Sequence, residues 1–135
     1  MKDKLLELLN NSYAPISRFP VSSCVVTKDG REFYGVNVED ASTRAGTCAE
    51  RAAIFSAVTN GVKPGEFKEI NVMVGSGNIG MPCFVCRQMF RELFDADTIV
   101  RSFSIRGDYV EHTVEELCPY PFGEDDLIWD AVLLA

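Results

Sequence analysis

The sequence has little of several things that particular classes of protein require. It contains one histidine, His112, so a site built from several imidazoles is excluded. Lysine and arginine number 13 against 20 acidic residues, and this formal charge of −7 argues against nucleic-acid polymers, which bind cationic faces. No apolar run approaches the roughly 18 residues of a membrane span, and the charged N-terminal segment is too short for a signal-peptide core. We therefore expect a soluble, cytoplasmic protein that binds neither a nucleic acid nor a membrane.

The rest of the composition fits one globular domain spanning residues 1–135. Apolar residues make up 47% and charged residues 24%, which are ordinary values that exclude a disordered or collagen-like chain. A chain of this length buries a sizeable core without disulfides, but it is too short for two independent cores.

Apolar periodicity and turn residues predict helices that alternate with strands. Asp29-Gly30 between two apolar runs indicates a hairpin, and Gly61 stands where a left-handed helix cap belongs. The predicted helices cover residues 4–9, 49–60 and 83–94, the strands cover 21–27, 32–38, 70–74, 96–104 and 109–113, and an amphipathic segment covers 125–134. This alternation predicts an α/β fold, a three-layer α/β/α sandwich with a mixed five-stranded sheet.

The five cysteines are Cys24, Cys48, Cys83, Cys86 and Cys118. Their odd number, without a secretory signal, disfavours a disulfide framework, and clustered thiols in a reducing compartment more often hold a metal. Cys83 and Cys86 stand three residues apart at a predicted helix start, so both sulfurs can reach one point. Cys48 opens the preceding helix, and helix N-termini favour the thiolate that binds metals. The spacing predicts that two helix N-termini meet at one metal ion.

Three thiolates give Zn²⁺ three of its four tetrahedral ligands and leave one position for water. A closed structural site needs a fourth protein ligand, and Cys24 and Cys118 stand in no ligand-pair spacing. Glu50, in the first turn of the helix that Cys48 opens, is a carboxylate that could carry protons between such a water and a substrate. The pattern favours catalysis; a pair of redox-active thiols and a zinc ion that only braces two helices are the alternatives.

A glycine-rich segment, residues 75–80, matches the G-x-G-x-x-G pattern of dinucleotide-binding proteins. It follows a predicted strand and precedes a predicted helix, and Asp97 lies near the distance expected of a ribose-binding acid. However, Pro82 and two thiols stand where a pyrophosphate would bind, and too few residues follow for the usual second half of such a fold. We interpret the segment as a flexible turn with permissive glycines.

Two motifs together resemble the cytidine deaminase family, namely Thr47-Cys48-Ala49-Glu50-Arg51 and Pro82-Cys83-x-x-Cys86-Arg87-Gln88. Further blocks match in order and distance: Tyr13-Ala14-Pro15, Phe19-Pro20-Val21 and Gly35-Val36-Asn37-Val38-Glu39. The resemblance covers roughly residues 13–122. It is to the short-chain members, which have cysteine in place of the first-motif histidine and which form homotetramers.

The resemblance implies roles for the residues of the cysteine motifs. Cys48, Cys83 and Cys86 would be the ligands of one Zn²⁺ per subunit. Glu50 would carry protons between zinc-bound water, N3 of the pyrimidine and the leaving ammonia. Since three thiolates leave zinc with a formal charge of −1, Arg51 would offset that charge by hydrogen-bonding the sulfurs.

The resemblance also implies the substrate contacts. Asn37 and Glu39 would hold the ribose hydroxyls, the backbone N–H of Ala49 would meet the pyrimidine carbonyl, and Phe19 would stack on the ring. Phe122 would close the site of a neighbouring subunit in a homotetramer.

The chain departs from the family pattern at four positions. The family often has an aromatic residue where Thr43 stands and serine where Met81 stands, and it usually has small residues in place of Phe84 and Val85. These positions bear on the substrate more than on the reaction. The sequence therefore predicts zinc-dependent deamination of cytidine and deoxycytidine for pyrimidine salvage, with another amino-pyrimidine nucleoside, such as blasticidin S, as the alternative substrate.

Overall fold

The computed structural model describes residues 1–128 and contains all five predicted strands. The helices are α1 (Lys2–Leu8), α2 (Ala49–Thr59), α3 (Phe84–Leu93) and α4 (Val114–Leu117), and the strands are β1 (Val21–Thr27), β2 (Glu32–Val36), β3 (Phe67–Val74), β4 (Ile99–Phe103) and β5 (Tyr109–Thr113). In this described part, none of the helices is long and apolar enough to cross a bilayer. Of the amphipathic segment predicted at 125–134, only the start is described, where Glu124–Leu127 forms a 3-10 turn, and the remainder lies outside the described residues.

The five strands form one mixed sheet in the order β2-β1-β3-β4-β5. The β3–β4 pair is parallel and the other neighbouring pairs are antiparallel. The hairpin between β1 and β2 turns at Gly30, whose φ of +89° suits a residue without a side chain. A parallel pair needs a crossover connection, and α3 supplies it between β3 and β4.

Helices cover both faces of the sheet, which confirms the predicted three-layer architecture. Helices α2 and α3 pack on one face, where the main core includes Ile54, Ile70 and Phe90, all fully buried. Helix α1 packs on the other face through a smaller cluster that contains Leu5 and the fully buried Cys24. The two helices with cysteines at their N-termini therefore lie side by side on the same face.

The predicted boundaries differ from the observed ones where polar residues interrupt an apolar run. Strand β3 begins at Phe67 rather than residue 70, because the polar Lys68 and Glu69 follow a fully buried phenylalanine. Strand β4 begins later than predicted, since Asp95 and Thr98 form a turn closed by two hydrogen bonds. Helix α4 was not predicted, although Thr113 and Glu116 form a capping box with the T-x-x-E pattern.

Several glycines, Gly35 and Gly75 among them, stand where other parts of the chain approach closely. A Cβ on Gly35 would stand 2.4 Å from the Ala53 nitrogen, so this glycine lets α2 lie directly on β2. A Cβ on Gly75 would stand 2.4 Å from the Pro20 ring. None of the three glycines at 75, 77 and 80 has a positive φ, and Gly75 instead lets the chain pass close to Pro20.

Candidate active site and metal centre

Helices α2 and α3 both begin at a cysteine. Cys48 and Cys83 are the N-cap residues, with extended backbone, and neither side chain caps its own helix. Their sulfurs are therefore available for another partner, in the positive end of a helix dipole that favours thiolates. Cys86 lies in the first turn of α3 and is fully buried.

The three sulfurs form a cluster whose dimensions suit zinc. The Sγ atoms of Cys48 and Cys83 are 3.8 Å apart, those of Cys83 and Cys86 are 3.6 Å apart, and all three lie within 4.8 Å of one another. A tetrahedral zinc ion with Zn–S bonds of about 2.3 Å places its sulfurs about 3.8 Å apart. Within residues 1–128 no other histidine, cysteine or acidic side chain joins this cluster, so a metal bound here keeps a free coordination position.

The surroundings of the cluster favour a thiolate at Cys48. A hydrogen bond with the Cys86 thiol, helped by the Arg51 guanidinium, lowers the pKa of Cys48 to about 5. Arg51 Nη2 donates to the Cys48 sulfur over 3.4 Å. The pKa of Cys86 is raised by that same bond with Cys48 and by burial, so Cys48 loses its proton before Cys86 does.

The two remaining cysteines lie away from the cluster. Cys24 is fully buried under α1 on the opposite face of the sheet, where burial raises its pKa to about 12. Cys118 follows α4 and donates a hydrogen bond to the backbone oxygen of Arg87. Neither supplies the fourth ligand that a closed structural site would need.

Glu50 is a buried carboxylic acid next to the cluster. Glu50 is only 4% exposed. This burial raises the pKa of its carboxyl, and the neighbouring Cys48 raises it further. It is not one of the clustered ligand groups. A carboxyl that is neither a ligand nor solvated suits proton transfer, because its environment brings its pKa closer to neutrality.

A cavity of about 430 Å³ opens beside the cluster. It brings together most of the residues that the sequence pattern singled out: Phe19, Asn37, Glu39, Cys48, Ala49, Glu50 and Cys83. The volume is in the range of small-molecule sites. Ala49 is the first residue of α2, so its backbone N–H has no helical acceptor and is free to bind a ligand atom.

Asn37 and Glu39 have structural partners as well as a place in the cavity wall. The Asn37 amide donates to the Phe19 oxygen and accepts from the Val21 nitrogen, each over 2.9 Å. Glu39 Oε1 accepts from the backbone nitrogens of Ile16 and Ser17, each over 3.0 Å. Both side chains thus hold the segment that carries Phe19, a task that the resemblance did not indicate.

Phe122 does not line this cavity. It lies beyond α4 and is 55% exposed, and its backbone oxygen accepts a hydrogen bond from Gln88 on α3. Within one subunit it is therefore separate from Phe19 and Glu50.

Sequence reasoning missed a second cavity of about 340 Å³ that shares a wall with the first. It is lined partly by Thr43, Thr47 and Arg51. Thr43 has a φ of +60°, a conformation that β-branched residues rarely adopt. Thr47 Oγ1 and Arg51 Nε are buried and lack a hydrogen-bond partner among the described residues. No spacing in the sequence signals this polar cavity, because its lining depends on how the loop after β2 folds back.

This arrangement defines a class of protein: an α/β domain in which the N-termini of two adjacent helices present three thiols and a buried acid to one cavity. A sequence model described as the cytidine and deoxycytidylate deaminase zinc-binding region matches residues 1–102. The chain belongs to this family.

Individual relatives agree with the family match. A cytidine deaminase of Halalkalibacterium halodurans is 37% identical over 122 residues, which cover 90% of this chain and 91% of that protein. A cytidine deaminase of Sporosarcina psychrophila is 35% identical over 120 residues, covering 89% and 87% of the two chains. The crystal structure of cytidine deaminase from Burkholderia pseudomallei superimposes with a TM-score of 0.81 at 37% identity, covering 90% of this chain and 99% of that one.

Proposed function

We propose that this protein catalyses the zinc-dependent hydrolytic deamination of cytidine and deoxycytidine, giving uridine or deoxyuridine and ammonia. One observation carries the proposal: Glu50, a buried acid outside the thiol cluster, shares a cavity with Cys48 and Cys83. A metal that only braced two helices would need neither a cavity nor a buried acid. The names of the relatives identify the substrate class.

Cys48, Cys83 and Cys86 would hold one zinc ion per subunit. When bound, zinc acts as a Lewis acid that makes a coordinated water easier to deprotonate at neutral pH. Three thiolates weaken that acidity through their negative charge. The Arg51 hydrogen bond to Cys48 and the two helix N-termini withdraw charge from the sulfurs and so offset part of this effect.

Glu50 would move the protons of the reaction. It would take a proton from water and give it to ring nitrogen N3 as the hydroxyl adds to C4, and it would then move the proton of that C4 hydroxyl to the departing amino group. The C4–N4 bond breaks, ammonia leaves and the ring keeps a C4 carbonyl. Burial suits Glu50 to both tasks, because a carboxyl with a raised pKa accepts and returns a proton at little energetic cost.

The remaining cavity residues would position the nucleoside. Phe19 would stack on the pyrimidine, and the free N–H of Ala49 would bind the pyrimidine carbonyl. Asn37 and Glu39 would bind the ribose hydroxyls with the hydrogen-bonding capacity that remains after they hold the Phe19 segment. The same side chains thereby link ribose binding to the placement of the stacking ring.

We further propose a homotetramer in which Phe122 completes the site of a neighbouring subunit. Phe122 is exposed and does not line the cavity of its own subunit. Both properties are required of a residue that contacts the site of another subunit. The three thiols must stay reduced to bind zinc, which suits a cytoplasmic enzyme of pyrimidine salvage.

A panel of nucleosides tests the proposed reaction. Zinc-loaded protein is incubated with cytidine, deoxycytidine, blasticidin S and deoxycytidylate, and ammonia release is measured together with metal content. Cytidine and deoxycytidine should release ammonia fastest, with rates nearly independent of ionic strength because these substrates are neutral. Faster turnover of blasticidin S, or a steep salt dependence with deoxycytidylate as the preferred substrate, would contradict the proposal.

Dilution tests the shared site. If Phe122 serves a neighbour, diluting the protein below its assembly range should abolish deamination while zinc remains bound, because all three zinc ligands come from one chain. Activity and metal content are compared with the sedimentation profile at each concentration. Full activity in a sedimenting monomer would refute the shared site.

A further inference from the structure

Arg87 links two parts of the molecule that meet at α3. Its Nε donates to the backbone oxygen of Pro82 over 2.8 Å, and Pro82 directly precedes Cys83. Its Nη1 donates to the backbone oxygen of Leu117 over 3.3 Å, at the end of α4. One guanidinium thus connects the start of α3 to residues 117–123, here called the 117–123 segment.

Further contacts hold the same segment against α3. The Cys118 thiol donates to the backbone oxygen of Arg87 over 3.5 Å, and Gln88 Nε2 donates to that of Phe122 over 2.9 Å. Consecutive α3 residues therefore bind both ends of the segment, and a crevice of only about 200 Å³ separates the two elements. Because Phe122 is exposed, these backbone bonds rather than burial fix its position.

The planar guanidinium is oriented by an aromatic ring. Arg87 lies over the ring of Phe84 with a distance of 4.3 Å to its centroid, and Phe84 is 74% exposed. Stacking on one face keeps the edge of the guanidinium directed at the two carbonyl oxygens. Lysine cannot reproduce this fork, because a single ammonium group replaces two separate donors.

We propose that Arg87 is a positioning residue for both halves of the site, fixing the backbone that carries Cys83 and, with Gln88, the segment that presents Phe122. The role of Phe122 rests on the proposed function, whereas the role toward Cys83 rests on the metal cluster alone. Cys83 is exposed, so the peptide bond it shares with Pro82 needs this anchor to keep its sulfur near the other two.

Four variants of the zinc-loaded protein test this: Arg87→Gln, Arg87→Lys, Gln88→Met and Arg91→Gln. Arg91 is the control for zinc release, since it lies one turn further along α3 and lines the same crevice but donates no hydrogen bond within residues 1–128. The measurements are zinc transfer to a chromophoric chelator, amide hydrogen exchange in the 117–123 segment, and kcat and KM for cytidine.

Arg87→Gln should release zinc about 10- to 100-fold faster, exchange the segment's amides faster and raise KM. Arg87→Lys should lie between Arg87→Gln and wild type. Gln88→Met should speed exchange and raise KM while zinc release and kcat stay at wild-type values. If Arg87→Gln fails to fold, zinc release is compared between Arg87→Lys and Gln88→Met instead. Faster release from Arg87→Lys alone supports the proposal, and equal release rates overturn it.

Zinc release from Arg87→Gln within twofold of wild type, or equally fast release from Arg91→Gln, would overturn the proposal. An inactive wild-type protein would instead count against the proposed function. In that case zinc release and hydrogen exchange still report on Arg87, because neither measurement requires turnover.

Discussion

Replacing Glu50 with glutamine should lower kcat/KM for cytidine by up to about 10⁴-fold, because the amide keeps the shape of the acid but cannot accept and return a proton. Zinc content should stay at the wild-type level, since Glu50 is not among the clustered ligand groups. The melting temperature should stay level or rise, because a neutral amide is easier to bury than a charged carboxylate. Steady-state kinetics, metal analysis and thermal unfolding on one preparation check all three results.

Two comparisons sharpen this prediction. Glu92→Gln makes the same chemical change on an exposed surface of α3 and should leave the kinetics unchanged. Glu50→Asp keeps the acid but withdraws it by one methylene, so it should retain some activity above the glutamine variant. A glutamine variant with near-normal turnover would remove Glu50 from the mechanism and leave a zinc ion that only braces the two helices.

Replacing Cys83 with alanine should abolish both metal retention and activity. Changes to residues that only contact a ligand typically weaken metal binding about 10- to 100-fold. Removing a ligand itself should weaken zinc binding by more than that. Cys83 is exposed, so its loss creates no cavity in the core, and any loss of stability reports the missing metal. If the free zinc concentration is 1,000 times its Kd for the protein, the free energy of unfolding should fall by about 4 kcal/mol.

Cys24→Ala is the matched control. It removes a fully buried thiol on the opposite face of the sheet, so it should reduce stability through packing while zinc content and kcat remain unchanged. Zinc analysis and thermal unfolding with and without a chelator separate the two effects: the chelator should destabilise wild type and Cys24→Ala but not Cys83→Ala. A Cys83→Ala protein that keeps stoichiometric zinc would rule out the three-thiolate site.

Much of the fold was predictable because local patterns and packing agree. The hairpin at Asp29-Gly30 and the cap at Gly61, whose φ is +92°, followed from residues with few conformational alternatives. Boundaries were less predictable where tertiary contacts dominate. Lys68 and Glu69 extend β3 because the strand pairs with β1 on one side and β4 on the other, which no single-strand pattern reveals.

The sequence alone determined the chemistry that the chain can offer. The sequence has a single histidine, two cysteine motifs at helix starts and an acid two residues after the first cysteine. Because helix N-termini favour charged sulfur, this pattern predicts a metal site built from thiolates. Proximity along the chain also fixed which sulfurs pair locally: Cys83 and Cys86 share one helical turn, whatever the rest of the fold does.

Only the tertiary structure decided what surrounds that chemistry. Whether Cys48 meets Cys83 depends on α2 and α3 packing side by side on one face of the sheet, a contact between residues far apart in sequence. The tasks of Asn37 and Arg87 likewise come from backbone carbonyls that distant segments bring to them. Hydrogen bonds of this kind depend on position in space rather than on residue type, so no spacing in the sequence could have indicated them.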